Sequence, residues 1–226
     1  FLSVSAKAAG FAALIAVVFI GFPTANAVYG PLIWVLAALT MTVGNVVALR
    51  QTNIVRMLAY SSVSQGGFIL MPMAFVNDGA HVAESVLKSI VVYLVIYGLT
   101  NLGAFAVVIA VARITRSGEI SSFGGLISHA PGMTILMTIF LASLAGIPPL
   151  GGWIAKFNSF RAVLDAGSTS AYVLAAIGAV NTAIAAAYYM RVMRVMWMNE
   201  RPEGQTGTIT TPPSIGAAIG ICAIGT

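Results

Sequence analysis

The chain is short of charge. Its 226 residues include eleven Lys or Arg and six Asp or Glu, so 8% are charged, against about 25% in a soluble domain. So few charges cannot cover a 23.4 kDa globule in water. That excludes an ordinary soluble domain, a disordered chain, which needs low hydrophobicity, and a nucleic-acid binder despite the net charge of +5. Cysteine is almost absent: Cys222 alone excludes a disulfide framework or a thiolate metal site. Two distant histidines, His81 and His129, make no metal cluster. No Gly-rich phosphate loop, catalytic triad, carboxylate pair or haem-type histidine pair occurs, so no redox or hydrolytic chemistry is expected of the chain. Alternating ten-residue strands are missing too, which leaves helices as the membrane element.

What fills the chain instead is apolar: 59% of the residues are hydrophobic, with a mean hydropathy of +0.96. A helix needs roughly 20 apolar residues to cross a bilayer, and the uncharged stretches 8–49, 57–77, 89–112, 120–155 and 166–190 reach that length. Phe22-Pro23-Thr24 divides the first, and Gly30-Pro31 is expected to restart a helix. Spans are predicted at 1–21, 31–49, 54–76, 86–112, 131–164 and 170–197, with another from about 212. The fold class is therefore all-α, a polytopic transmembrane helix bundle. Starting at Phe1-Leu2-Ser3 without a signal-peptide pattern, and stopping in an apolar run, the chain reads as an internal piece of a longer polypeptide.

Alternating the loops places Arg50, Arg56, Arg113, Arg116, Arg191, Arg194 and Arg201 on one side. The other side holds Asp78, Glu84, Lys88, Arg161 and Asp165. Basic residues stay on the cytoplasmic side, so the Arg-rich loops are expected there, in a multi-pass membrane protein. Glu84 and Lys88, four apart, read as a solvated pair at the outer boundary.

Two lysines fall inside spans, where an ionisable group is penalised by roughly 2.5–3.5 kcal/mol and points to function. Lys7 lies a third of the way along the first; the bland alternative is a lysine snorkelling to the interface. Lys156 follows Gly146-Ile-Pro-Pro-Leu-Gly-Gly152, where Gly146, Pro148, Pro149 and Gly151 should break the fifth span near 146–152. Broken helices leave free carbonyls and half-helix ends. Lys156 can cap those carbonyls, carry an exchangeable proton, or both. Lysine, unlike arginine, releases its proton when held away from water. No acidic residue lies within a span to pair with either.

Weaker polar features line up. Tyr93, Tyr97 and Asn101 recur at i, i+4, i+8 on one helix face. Tyr60, Ser61, Ser62, Ser64 and Gln65 put four hydroxyls and an amide into six residues of the third span, and Asn181 and Tyr188 are seven apart on the sixth. Each alone suits ordinary interhelical hydrogen bonding. Together Gln65, Ser64, Tyr93, Tyr97, Asn101 and Asn181 are expected to form a hydrated polar axis joining Lys7 to Lys156. Gly66-Gly67, Gly98 to Gly103 and the alanines from 175 to 187 read as close helix contacts.

Three stretches carry a family resemblance: Gln51-Thr-Asn-Ile-Val-Arg-Met-Leu-Ala-Tyr-Ser-Ser-Val-Ser64, Tyr97-Gly-Leu-Thr-Asn-Leu-Gly-Ala-Phe-Ala-Val-Val108 and Phe140-Leu-Ala-Ser-Leu-Ala-Gly-Ile-Pro-Pro-Leu-Gly-Gly-Trp-Ile-Ala-Lys-Phe157. In this order they resemble the subunit N family of bacterial NADH:quinone oxidoreductase, the antiporter-like membrane subunits of complex I. The resemblance implies fourteen helices built from two inverted five-helix repeats and driven by a separate redox arm. Residues 1–21 would be the eighth helix, 31–199 the second repeat with its broken twelfth helix, and 200–226 a cytoplasmic loop and the start of the last helix. Lys7 would match the lysine linking the two half-channels and Lys156 the exit-side lysine. Further acidic and basic groups of the path would precede Phe1.

The resemblance further implies no cofactor in this chain, with NADH, flavin, iron–sulfur clusters and quinone in the rest of the complex. The partners would be the lipid bilayer and neighbouring antiporter-like and small membrane subunits. Two departures stand out: Val55 occupies a position where many relatives carry Lys or Arg, and Gln65 one where many carry His. A multi-subunit cation/proton antiporter and a structural membrane subunit are the rival readings.

Overall fold

A computed structural model describes residues 2–22, 25–76, 80–202 and 212–226. Phe1, Pro23, Thr24, Asp78 and Glu203 lie outside them. Among the described residues the helices are α1 (Leu2–Ala16, continued by a π turn Val17–Gly21), α2 (Asn26–Leu49), α3 (Ile54–Leu70, tightening into a 3-10 turn Met71–Phe75), α4 (Ala80–Thr115), α5 (Leu126–His129), α6 (Pro131–Ala145), α7 (Gly151–Leu164), α8 (Thr169–Met198) and α9 (Pro213–Ile224). No strand occurs among these residues, only one isolated bridge, Asn53 to Glu119. The architecture is an all-α transmembrane bundle.

Among the described residues four helices are long and apolar enough to cross a membrane, within 4–21, 27–49, 81–115 and 169–198. Their outer faces carry exposed Ile20, Val28, Leu39, Val95, Ile109, Val180 and Met190, as a surface turned to lipid requires. α3 differs. Most of its residues are buried, because it packs against α1, α2, α4 and α7. A helix enclosed by protein rather than lipid can afford hydroxyls and an amide, and α3 carries the densest polar set of the chain. Gly44 and Gly67 hold it against α2: a Cβ on Gly44 would sit 2.7 Å from the Ser64 nitrogen, and one on Gly67 2.7 Å from the Met41 nitrogen. Asn53 starts α3 by accepting from the Val55 and Arg56 amides at 3.0 and 3.2 Å.

Three boundaries depart from expectation. α2 begins at Asn26, so Pro31 lies inside the helix rather than at its start. Pro31 forfeits one bond, to the Ala27 carbonyl, and both residues line an open cleft of about 480 Å³ where water can serve that oxygen. α4 runs well past 86–112 at both ends, since Glu84, Lys88 and Arg113 are no obstacle to a helix; its 36 residues extend about 54 Å. The fifth span divides as expected, with the interruption at 146–150 and Gly151 already the first residue of α7.

The Arg-bearing loops meet at one end of the bundle. Arg191 Nη1 donates to the Leu49 and Gln51 carbonyls, both at 3.4 Å, and the Gly125 amide reaches the Val195 carbonyl. The Asn53–Glu119 bridge ties a third connection to the same end. At the opposite end Glu84, Lys88, Arg161 and Asp165 share a cleft, but no ion pair joins Glu84 to Lys88 among the described residues.

Candidate functional site

The interruption builds the first half of the site. α6 ends at Gly146, whose φ of +89° suits glycine and turns the chain left-handed. The Gly146 amide bonds the Ser143 carbonyl at 2.9 Å and the Ile147 amide the Ala142 carbonyl at 3.0 Å, the paired closure of a Schellman motif. That closure leaves the last carbonyls of α6, Leu144 and Ala145, without helical donors. Lys156 supplies them. Its Nζ donates to both oxygens at 2.9 Å while the side chain passes over Gly146, and the residue is 5% exposed. The negative end of the α6 dipole favours a cation there, and the Phe68 ring lies 5.1 Å from the ammonium. At the start of α7 the Gly152 amide bonds Ser143 Oγ at 3.0 Å. A Cβ on Gly152 would collide with the Ser143 carbonyl, 1.8 Å away, so the two half-helices pass in backbone contact.

Lys7 forms the second half. It does not snorkel: its Nζ turns inward to the Ser62 carbonyl, to Ser62 Oγ at 2.7 Å and to Tyr97 OH at 3.3 Å, with the Tyr97 ring centroid at 4.6 Å. Three acceptors match the three ammonium protons. Tyr97 OH in turn donates to Ser62 Oγ at 2.8 Å. α1 comes this close because Gly98 of α4 faces Val4, where a Cβ would have only 3.3 Å.

Gln65 connects the halves. Its Nε2 donates to the Leu144 carbonyl at 3.1 Å, so Gln65 and Lys156 share one acceptor. Tyr93 OH donates to Gln65 Oε1 from the turn of α4 beyond Tyr97. Between Tyr97 and Lys156 lies a cavity of about 10 Å³, bounded also by Gln65, Tyr93, Thr100 and Ser143. That is the room of about one water, among enough polar groups to hold it. Neither ammonium meets a carboxylate among the described residues. Lys156 has two of its three protons on carbonyls, which leaves the third for the cavity.

Lys7, Lys156, Gln65, Tyr93 and Tyr97 are thus brought together. Asn101 is buried on the same face of α4. Two expected members lie elsewhere. Ser64 is buried at the close α2–α3 contact beside Gly44, and its hydroxyl has no partner among the described residues; at 100° per residue it lies about 160° around α3 from Ser62 and about 100° from Gln65. Asn181 belongs to a separate α2–α8 knot: Asn45 Nδ2 donates to its Oδ1 and its carbonyl at 3.0 Å each, and Tyr188 OH donates to Asn45 Oδ1 at 3.0 Å. Sequence reading missed Asn45, Ser143 and Tyr189. Tyr189 OH bonds Ser61 Oγ and receives from Gln65 Nε2 at 3.4 Å. The Tyr188-Tyr189 pair was the signal, but a doublet does not say which ring faces inward. No cluster of His, Cys, Asp and Glu among the described residues suits a metal.

Comparison with known proteins places this geometry in context. The family described as "NADH:quinone oxidoreductase/Mrp antiporter, TM" matches residues 1–185. The chain is 38% identical over 227 residues to NADH-quinone oxidoreductase subunit N 2 of Solibacter usitatus, covering 100% of this chain and 44% of that protein. It is 41% identical over 231 residues to subunit N 1 of Herpetosiphon aurantiacus, covering 100% and 45%. The chain therefore spans less than half the length of these relatives. Among solved structures it is similar to a chain of respiratory complex I from Thermus thermophilus with bound aureothin, at 26% identity and a TM-score of 0.65, covering 86% of this chain and 42% of that one.

Proposed function

This chain belongs to the NADH:quinone oxidoreductase/Mrp antiporter family of transmembrane proteins, and on that footing we propose that it is a proton-translocating membrane subunit of an NADH:quinone oxidoreductase. Quinone reduction, with its NADH, flavin and iron–sulfur carriers, takes place in other subunits. Protons pass between Lys7 and Lys156, and neighbouring antiporter-like and small membrane subunits transmit the driving change. Residues 1–21 form the linking helix and 31–199 the second repeat of the subunit. The membrane is a bacterial inner membrane, with the Arg-rich end in the cytoplasm.

The observation that carries this reading is the polar line itself. It runs from Lys7 through Ser62 and Tyr97, across a water-sized cavity, to Gln65, the Leu144 carbonyl and Lys156. The Ser62 and Tyr97 hydroxyls and the room for a water beside Lys156 are the parts a proton needs to hop while heavy atoms stay put, and Gln65 and the Leu144 carbonyl hold the Lys156 end in place. The two ends are amines that gain and lose protons, and both repel other cations, which disfavours a sodium path. A positive charge on Lys7 makes protonation of Lys156 harder and its discharge easier, so the two amines respond to one another through the bundle.

A second reading has support in the geometry: Lys156 caps the orphan carbonyls of α6, and that bond alone is a structural role. Lys156→Arg separates the two. Arginine can donate to both carbonyls but keeps its proton. In the assembled complex, measured as protons translocated per electron delivered to quinone, Lys156→Arg is expected to fall as far as Lys156→Ala. Retention of the full ratio in Lys156→Arg, with loss in Lys156→Ala, would overturn the proton-carrying role in favour of the structural one.

A further inference from the structure

One turn beyond Lys156 on the buried face of α7 stands Ser159. It is fully buried, and its Oγ meets no hydrogen-bond partner among the described residues. A hydroxyl stripped of water and left unpaired is costly, and one kept in a native interior calls for a reason. Side chains in a helix lean toward its N-terminus, and residues three apart are neighbours, so Ser159 leans back toward the turn that holds Lys156. In the other direction its flanking residues Asn158 and Ala162 line a cleft of about 190 Å³ at the Arg-poor end, shared with Glu84, Lys88, Arg161 and Asp165. This cleft has room for several waters. Ser159 therefore stands between a buried amine and a polar opening, with its hydroxyl uncommitted.

We infer that Ser159 is the outward station of the Lys156 ammonium and the relay by which its proton enters the Arg-poor cleft. The inference rests on the proton-translocating reading above and adds the residue through which the proton leaves Lys156. Lys156 has two stations. Inward, its Nζ lies on the Leu144 and Ala145 carbonyls and faces the water-sized cavity, where a proton arrives. Outward, the four-carbon stem swings along α7 and the ammonium donates to the vacant Ser159 Oγ. A proton then moves from Nζ to Oγ while the hydroxyl's own proton passes to a water in the cleft. Lys156 is left a neutral amine, Ser159 again holds one proton, now the one from Nζ, and the cleft gains one proton, which passes through its waters to bulk solvent. The neutral amine has two N–H bonds, matching the two inward carbonyls to which it returns.

The test uses the complete complex in its native membrane, with protons translocated per electron delivered to quinone as the readout for Ser159→Ala, Ser159→Thr and Lys156→Ala. Ser159→Ala is expected to assemble at the wild-type level, because it removes an unpaired group, and to lose at least half of what Lys156→Ala loses. Ser159→Thr, which keeps the hydroxyl, is expected to retain most of the wild-type ratio. A wild-type ratio in Ser159→Ala beside a lowered one in Lys156→Ala overturns the station and leaves the broader reading standing. An unchanged ratio in both overturns the broader reading itself. Failure of Ser159→Ala to assemble, or an equal loss in Ser159→Thr, overturns the relay by making the residue structural.

Discussion

At the scale of single residues the site is a set of shared acceptors. The Leu144 carbonyl takes both Gln65 and Lys156, and Ser62 takes both Lys7 and Tyr97. A shared acceptor couples two groups: whatever shifts one changes the field at the other. Gln65 is the least replaceable of these, since its amide holds Tyr93, Tyr189 and Leu144 at once. Gln65→Leu, similar in volume, would leave the Tyr93 hydroxyl without its acceptor, which typically costs about 1–3 kcal/mol. It should lower both the melting temperature of the purified complex and its proton-to-electron ratio. Gln65→His, restoring a titratable ring at this point, should keep the ratio within about twofold of wild type; a ratio as low as in Gln65→Leu would mean that the amide geometry, not proton exchange near the axis, is what matters. How far the sequence disclosed these residues depends on their chemistry. Lys7 and Lys156 were conspicuous because a bilayer penalises charge. The partners of Lys156 were hidden, since a backbone carbonyl has the same identity in every residue. Ser61, Ser62, Ser64 and Gln65 together span about 160° of the circumference of α3, and only packing against α2 decides that Ser64 faces the wrong way.

At the scale of elements, the broken helix is what makes a buried lysine tolerable. Its ends supply two unpaired carbonyls and a dipole terminus aimed at the ammonium, in place of a carboxylate, which Lys156 does not meet among the described residues. Pro148-Pro149 and the glycines around them disclosed the break in the sequence, because proline cannot donate and glycine alone sits easily at φ of +89°. The register of the two halves was not disclosed, as it follows from the backbone contact of Gly152 with Ser143. Gly146→Ala tests this device. Holding alanine in the left-handed region costs about 1–2 kcal/mol, and its Cβ would come within 2.9 Å of Lys156 Cδ. The stem must move, taking Nζ from its carbonyls. Both thermal stability and the proton-to-electron ratio should fall. Gly132→Ala on the exposed start of α6, where a Cβ meets nothing within 4 Å, should be neutral or stabilising by about 0.5–1 kcal/mol. Equal behaviour of the two variants, read by melting of the purified complex, would show that the left-handed turn does not hold Lys156 in place.

At the scale of the whole molecule, the sparse charge that first excluded a soluble fold becomes an orientation. The Arg-bearing loops converge on one end through the Arg191 and Asn53 contacts, and the Glu84–Asp165 cleft occupies the other. The same alternation was legible in the sequence, because each apolar span must reverse the side of the loop that follows it, and one misplaced span would have scattered the arginines. α8 offers a direct measurement, having exposed residues at both ends: Thr169 at its start and Arg194 four residues before its close. With Cys222 replaced by alanine, Thr169→Cys and Arg194→Cys each carry one thiol for a membrane-impermeant maleimide. If positive charge is retained on the cytoplasmic side, Thr169→Cys should react in intact spheroplasts and Arg194→Cys only in inverted vesicles. The orientation has a mechanistic consequence. Lys7 bonds Ser62, about 12 Å along α3 from its Arg-side start at a rise of 1.5 Å per residue, whereas α7 carries Lys156 and Ser159 toward the opposite end. A proton moving from Lys7 to Lys156 therefore moves away from the Arg-rich face, out of the cell if that face is cytoplasmic. The reverse labelling pattern would turn the same line of hydrogen bonds into a path for uptake, and would leave the residues in place but the direction of pumping wrong.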